Sequence, residues 1–180
     1  MSEAKPLVCR PAKPTDFAAV GEVLSSAYGT LLSTSYPKDL LDAALPYMIK
    51  PIPELLASGT YYVAERGPGV LSGCGGWTKA SPGGGPAIEG EAHVRHFATS
   101  PQATRQGIGT SLLARCAADA RASGVRIFQC FSTLNAEPFY KAFGFVTVAP
   151  IEVPMGPTLK FPGVLMRLDI ERLAPSGHGH

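Results

Sequence analysis

Apolar positions along the chain change period several times, and each change marks an element. Leu7, Val8 and Cys9 lead into Arg10 as a short first strand. Pro14-Thr15-Asp16 then offers an N-cap and an acidic first turn, and Val20, Val23, Leu24, Ala27, Tyr28 and Leu31 recur at helical spacing. This predicts a helix with one buried face. A second helical region opens near Pro37-Lys38-Asp39, with Leu40, Leu41, Ala44, Leu45 and Met48 as its apolar set. Pro46, Pro51 and Pro53 each remove an amide donor, so a kink or a split into two short helices is expected, the second ending at Gly59.

From Thr60 the period falls to two. Tyr61 to Arg66 is rich in β-formers, Gly67-Pro68-Gly69 is a turn, and Val70 to Thr78 returns as the second arm of a hairpin. Ser81-Pro82-Gly83-Gly84-Gly85-Pro86 has no face to bury and predicts a loop at the rim of the sheet. A strand resumes near Glu91 and runs to Thr99. Strict alternation puts Glu89, Glu91 and His93 on one side with Phe97, and Val94, His96 and Ala98 on the other. Ile108, Leu112, Leu113, Cys116, Ala117 and Ala120 then share one side of a helix that begins near Gln106 and stops at Ser123-Gly124.

Arg126 to Phe131 is the next strand. A helix of about ten residues follows from Asn135, a good N-cap type, and carries Phe139, Tyr140 and Phe143 to a stop at Gly144. Val146–Val153 and Val164–Ile170 read as two closing strands separated by a loop containing proline and glycine, and residues 174–180 predict a disordered tail. The order β-α-α-β-β-β-α-β-α-β-β implies an α/β (α+β) fold: a mixed, mostly antiparallel sheet with helices on both faces. A length of 180 residues suits a single domain over residues 1–173, with core enough to need no staples.

Composition narrows the function. A net charge of +2 with 17% charged residues is too mild and too evenly spread for binding nucleic acid through electrostatics, so no such partner is expected. Cys9, Cys74, Cys116 and Cys130 lie far apart and form no CxxC pair, which suits free thiols in a reducing compartment. The N-terminus lacks an apolar signal core, and no run reaches the roughly 18 apolar residues of a membrane span. A cytoplasmic protein without a membrane partner is the expectation. His178 and His180 near the C-terminus make a poor metal site, two ligands being too few to hold one.

The chemistry gathers at Thr104-Arg105-Gln106-Gly107-Ile108-Gly109-Thr110, where a strand turns into a helix. The first-turn amides of a helix have no internal acceptor, and two glycines let a ligand approach the backbone. Arg105 adds a full positive charge, and the set suits a pyrophosphate. No GxxxxGK[ST] follows, and Leu112 stands where a dinucleotide fingerprint places its third glycine, so neither of those phosphate loops fits. A glycine-tolerant helix start with a solvated arginine would look the same on this stretch alone.

Two segments together carry a resemblance. Thr104 to Gly109 is similar to the R/Q-x-x-G-x-G/A loop of the GCN5-related N-acetyltransferase (GNAT) family, and Asn135, Phe139-Tyr140 and Gly144-Phe145 are similar to that family's second motif. Thr104 departs from the family's Arg or Gln; its hydroxyl can still donate, and Arg105 or Gln102 can supply the lost reach. Element order agrees with the family over roughly residues 7 to 170.

The resemblance implies a single acyl-CoA N-acyltransferase domain holding acetyl-CoA as co-substrate between splayed strands, with no metal. Main-chain atoms of Phe97, Ala98 and Thr99 would pair with the pantetheine arm. Amides from Arg105 to Thr110 would take the pyrophosphate, and Asn135 and Phe139 would complete the cofactor set. Tyr140 holds the family's position for the acid that protonates the departing thiolate, although its spacing alone suits a core residue. The amine's proton would go to His93, six residues before Thr99 where histone-acetylating relatives place a glutamate, to Glu91, or to ordered water. The expected function is acetyl transfer to a primary amine by direct attack. The alternative is a catalytically silent acyl-CoA-binding regulator. Residues Leu31 to Gly59 and the Ser81–Glu89 loop would shape the acceptor site, and the last strands allow a homodimer.

Overall fold

Period-two stretches pair into one seven-stranded sheet, and helical stretches cover both of its faces. The computed structural model describes residues 5–173; the tail expected at 174–180, with His178 and His180, lies outside the described residues. In chain order the elements are β1 (Val8–Pro11), α1 (Phe17–Leu31), α2 (Lys38–Met48), α3 (Pro53–Leu56), β2 (Tyr61–Glu65), β3 (Leu71–Thr78), β4 (Glu91–Thr99), α4 (Ile108–Ala122), β5 (Ile127–Ser132), α5 (Glu137–Phe143), β6 (Val146–Met155) and β7 (Leu159–Asp169). The strand order is β1-β2-β3-β4-β5-β7-β6, and among the described residues only β4 and β5 run parallel.

Alternation on β2 shows how one sheet serves two cores. Tyr61 and Val63 join Val20, Val23, Leu24 and Ala27 of α1 and Leu55 and Leu56 of α3. Tyr62 and Ala64 face the other way, onto Leu112, Leu113, Cys116 and Ala120 of α4. Leu112 and Leu113 are fully buried, and truncating either to alanine would cost about 2–5 kcal/mol. A third cluster, with Leu32, Tyr36, Leu41, Ala44, Met48 and Phe161, packs α2 against the β6–β7 hairpin. Tyr36 fastens it: its hydroxyl donates to the Pro162 carbonyl at 2.6 Å and accepts from the Leu134 amide at 2.8 Å.

Three expectations need correction and one is met: the second helical region does split into two short helices, α2 running through Pro46 to Met48, the break falling at Pro51-Ile52-Pro53 and α3 ending at Leu56. Proline costs least near a helix end, where few hydrogen bonds remain to be lost. The loop expected between the closing strands is mostly strand, since β6 and β7 pair from Val146↔Arg167 to Met155↔Leu159 around a short turn at Gly156. Pro154 sits on the edge strand, and Pro162 lies beyond the last β5 partner, Ser132↔Val164, positions with one free side where a missing amide donor is tolerated. Helix α4 starts at Ile108 rather than Gln106. Asn135 occupies a 3-10 turn before α5 and caps nothing; α5 itself is seven residues long.

Candidate active site between β4 and β5

The parallel pairing of β4 with β5 covers only Glu91↔Ile127, Ala92↔Phe128 and His93↔Gln129. Beyond these, β4 stays with β3 as far as Gly73↔Thr99, while β5 stays with β7 as far as Ser132↔Val164. The two strands therefore part, and a cavity of about 350 Å³ opens between them. That size suits a small-molecule site.

A bulge makes the parting possible. Cys74 pairs with Ala98 but Gly76 pairs with Arg95, so β4 carries one residue more than β3 across this step. His96 takes up the excess in the left-handed region, at φ 56°, which costs a residue with a Cβ about 1–3 kcal/mol. Three hydrogen bonds hold the kink. Tyr61 donates its hydroxyl to the His96 carbonyl at 2.9 Å, Tyr28 donates to the Phe97 carbonyl at 2.8 Å, and His96 Nε2 lies 2.7 Å from the Met48 carbonyl oxygen.

The bulge also overturns the expected alternation. Val94 packs on the α4 side and Ala98 on the α1 side, although strict period two would have joined them. His96 leans toward α1, with its ring 6.3 Å from that of Tyr28.

Eleven of the twelve expected cofactor residues line the cavity: Phe97, Ala98, Thr99, Thr104, Arg105, Gly107, Ile108, Gly109, Thr110, Asn135 and Phe139; Gln106 does not. Arg105 at φ 63° and Gly107 at φ 75° bend the loop twice into left-handed conformation, which turns successive amides toward one concavity. The first backbone bond of α4 runs from the Ser111 amide to the Gly107 carbonyl at 2.9 Å, so the amides of Ile108, Gly109 and Thr110 fall on the unpaired first turn. The two glycines differ in purpose. A Cβ at Gly107 would meet nothing within 4 Å, and its φ sets the requirement. A Cβ at Gly109 would stand 3.1 Å from Cζ of Phe139, so its smallness seats α4 against α5 rather than only admitting a ligand. The Thr104 hydroxyl donates weakly to the Pro101 carbonyl at 3.3 Å.

Inside the cavity, Asn135 Oδ1 is buried without a partner, a state that costs about 1–3 kcal/mol until a donor arrives. An open-sided gap, an amide-lined concavity and an orphaned acceptor are what an acyl-CoA arm with its pyrophosphate and amide groups would fill.

A family model described as an acetyltransferase (GNAT) domain matches residues 57–147, just over half of the chain. The chain belongs to the GNAT family. Solved structures agree in fold. A GCN5-related N-acetyltransferase from Rhodopseudomonas palustris is 17% identical with a TM-score of 0.72, over 94% of this chain and 99% of that one. The PaiA N-acetyltransferase of Thermoplasma acidophilum, solved with coenzyme A, is 14% identical at TM-score 0.68, over 91% and 99%. The ribosomal-protein-S18-alanine N-acetyltransferase of Escherichia coli is 15% identical at 0.60, over 97% and 100%. No curated protein matches in sequence.

Within this GNAT domain Tyr140 lines the cavity from α5, only 6% exposed, with its ring edge-on to Phe139 and Phe145. Burial pushes its phenol well above the ordinary value, so it stays protonated. Cys130 lies beside it, and burial raises that thiol to about 12 despite the pull of the Tyr140 hydroxyl, which leaves the sulfur a poor nucleophile at neutral pH.

His93 and Glu91 do not line the cavity. They stand where β4 is still paired with β5. The His93 ring is edge-on to Phe131 at 6.0 Å, its Nδ1 is buried without a partner, and burial lowers its pKa against the opposing pull of Glu91. Glu91 accepts from Gln129 Nε2 at 2.7 Å, lies 3.8 Å from Arg167, and lines a separate depression with Glu89, Arg126 and Asp169. The Ser81–Glu89 loop is absent from the cavity wall, whereas Ala27, Tyr28 and Leu31 of α1 form part of it.

Tyr28 and the left-handed conformation of His96 are features of the site that the sequence alone did not yield. Tyr28 sits at an ordinary core position of α1, and nothing local announces a bulge that places a histidine in left-handed conformation.

Proposed function

We propose that this GNAT domain transfers the acetyl group of acetyl-CoA to a primary amine by direct attack. The observation that carries it is the end of β4–β5 pairing after His93↔Gln129 beside the amide concavity at Arg105–Gly107. Phe97 to Thr99, Arg105 to Thr110, Asn135 and Phe139 hold acetyl-CoA, which supplies an activated thioester when bound. The Asn135 carbonyl accepts from an amide of the ligand, and the unpaired amides of Ile108 to Thr110 take its phosphates.

Tyr140 supplies the proton that the departing thiolate needs, for which its raised pKa keeps it loaded. Direct attack is supported by Cys130, the one thiol on the cavity wall, being held protonated rather than ready to carry an acyl group. The acceptor enters past Ala27, Tyr28 and Leu31.

Thiol released from acetyl-CoA by the purified chain, measured across polyamines, amino acids, aminoglycosides and lysine peptides with Tyr140→Phe in parallel, tests this. Release with one class of amine, lost in the variant, is expected. Acetyl-CoA binding without release by any amine would instead favour a silent acyl-CoA-binding regulator.

A further inference from the structure

We infer that His96 Nδ1 is the atom that takes the proton of the acceptor amine. This rests on the acetyl-transfer function proposed above and names a residue that function leaves open, since an amine arrives mostly as its ammonium and must lose a proton before it can attack.

Location comes first. Of the three acid–base candidates on β4, only His96 lines the cavity. His93 and Glu91 face regions where the strands are still paired.

The second observation fixes the tautomer. A carbonyl oxygen can only accept, so the 2.7 Å contact with Met48 requires a proton on His96 Nε2. In the neutral ring Nδ1 then carries the lone pair. That nitrogen makes no hydrogen bond within the described residues and, unlike Nδ1 of His93, is not sealed from solvent. A histidine on the cavity wall with one nitrogen anchored and the other without a protein partner is available as a proton acceptor.

The surroundings keep the ring neutral. Burial lowers its pKa and outweighs the Met48 carbonyl, which favours the charged form; Arg95 on the same strand pushes down further. The elements packed around it add no carboxylate to this balance. Tyr28 on α1, Tyr61 on β2 and Tyr140 on α5 are phenols that burial holds protonated, and Cys74 on β3 and Cys130 on β5 are thiols raised to about 12. Lys50, just past Met48, is exposed. Finally, three hydrogen bonds hold His96 in a left-handed conformation that a histidine adopts only at a cost.

The protons balance. An ammonium brings three to its nitrogen. One passes to His96 Nδ1 and on to solvent. As the C–N bond forms and the C–S bond breaks, the thiolate takes one from Tyr140, and the nitrogen gives up a second that restores the phenol. The amide keeps the third, so each turnover releases one proton.

The test is the pH dependence of kcat/KM for the full chain with acetyl-CoA and the amine that supports thiol release. The wild-type rate should fall on the acid side with a midpoint below 6.5, as His96 protonates. His96→Gln keeps a donor toward Met48 but cannot take a proton. It should lower kcat by about 10²-fold or more and erase that limb, with acetyl-CoA Kd from calorimetry within about twofold; His93→Gln should leave the limb in place. A limb retained in His96→Gln would reduce His96 to an anchor for α2 and overturn the assignment while acetyl transfer stands. Absence of turnover by the wild type with every amine would overturn both. Should His96→Gln fail to fold, nitrogen-15 NMR of the wild-type histidines decides: an Nε2–H tautomer at pH 7 titrating below 6.5 is expected, and an Nδ1–H tautomer would overturn the inference.

Discussion

The hydroxyl of Tyr28, on α1, donates to the carbonyl oxygen of Phe97 at 2.8 Å, where β4 has left β5. A strand that parts from its neighbour exposes peptide groups needing new partners, and a buried phenol from the covering helix supplies one. Tyr61 does the same for His96 from β2, so the splay is fastened from two elements.

Tyr28→Phe should therefore cost about 1–2 kcal/mol of stability, a fall in Tm of a few degrees for a chain of this size. Because the freed carbonyl lies on the cavity wall, the variant should also bind acetyl-CoA several-fold more weakly. Thermal melts with calorimetry check both effects. A Tm drop with unchanged affinity would confine Tyr28 to stability.

Tyr140 is deeply buried, so replacing it with Phe removes one oxygen and little packing. Tyr140→Phe should lower kcat by about 10²-fold while the Kd for acetyl-CoA stays within about twofold. Since burial holds the phenol well above its ordinary value, the wild-type profile should show no alkaline loss below pH 10 from this group. An equal loss in kcat and in acetyl-CoA affinity would return Tyr140 to the core alone.

Legibility in the sequence followed the range of the interactions. Helix periods, the glycine loop and the Asn135–Phe145 segment are local, and residues named from them meet around one cavity. The bulge is not local. It arises where β4 must match β3 on one edge and depart from β5 on the other, and period two read along β4 put Val94 and Ala98 on one face when they lie on opposite ones. His93 and Glu91, suggested by the place of the base in the resembled family, stand outside the cavity wall. The prolines misled for a related reason: Pro154 and Pro162 suggested a loop, and sheet order makes them tolerable, one on an edge and one past the end of β5.

Gly107 and Gly109 predict different failures. Gly107→Val places a β-branched residue at φ 75°, which costs about 1–2 kcal/mol or more in place and turns the loop amides from their shared focus. Acetyl-CoA binding should be lost by calorimetry, with the far-ultraviolet spectrum unchanged. Gly109→Ala should keep the loop but press on the Phe139 ring at 3.1 Å, so turnover should fall through the neighbouring Tyr140 while binding is only weakened. Reversed outcomes would mean that Gly109, not Gly107, sets the anion site.

Acid stability isolates a purely structural pair far from the cavity. Asp16, before α1, accepts two bonds from the Arg10 guanidinium at 2.8 and 2.9 Å and one from the Lys13 amide at 2.7 Å. Arg10 is the main cause of a lowered carboxyl pKa; burial opposes it, and the Lys13 amide adds to it. A carboxylate with a depressed folded pKa stabilises fully above its unfolded value of about 3.9, and that contribution disappears as pH falls through the lower folded value. Unfolding free energy should thus be insensitive to Asp16 between pH 7 and about pH 5, then drop toward pH 2. Asp16→Asn should lose about 1–3 kcal/mol at pH 7, leaving Glu65 at 3.1 Å as the one carboxylate beside Arg10, and its stability should decline less steeply below pH 4. Urea melts of both proteins from pH 7 to pH 2 measure the difference, which should shrink as pH falls; a constant gap across that range would show that the carboxylate's charge contributes nothing there.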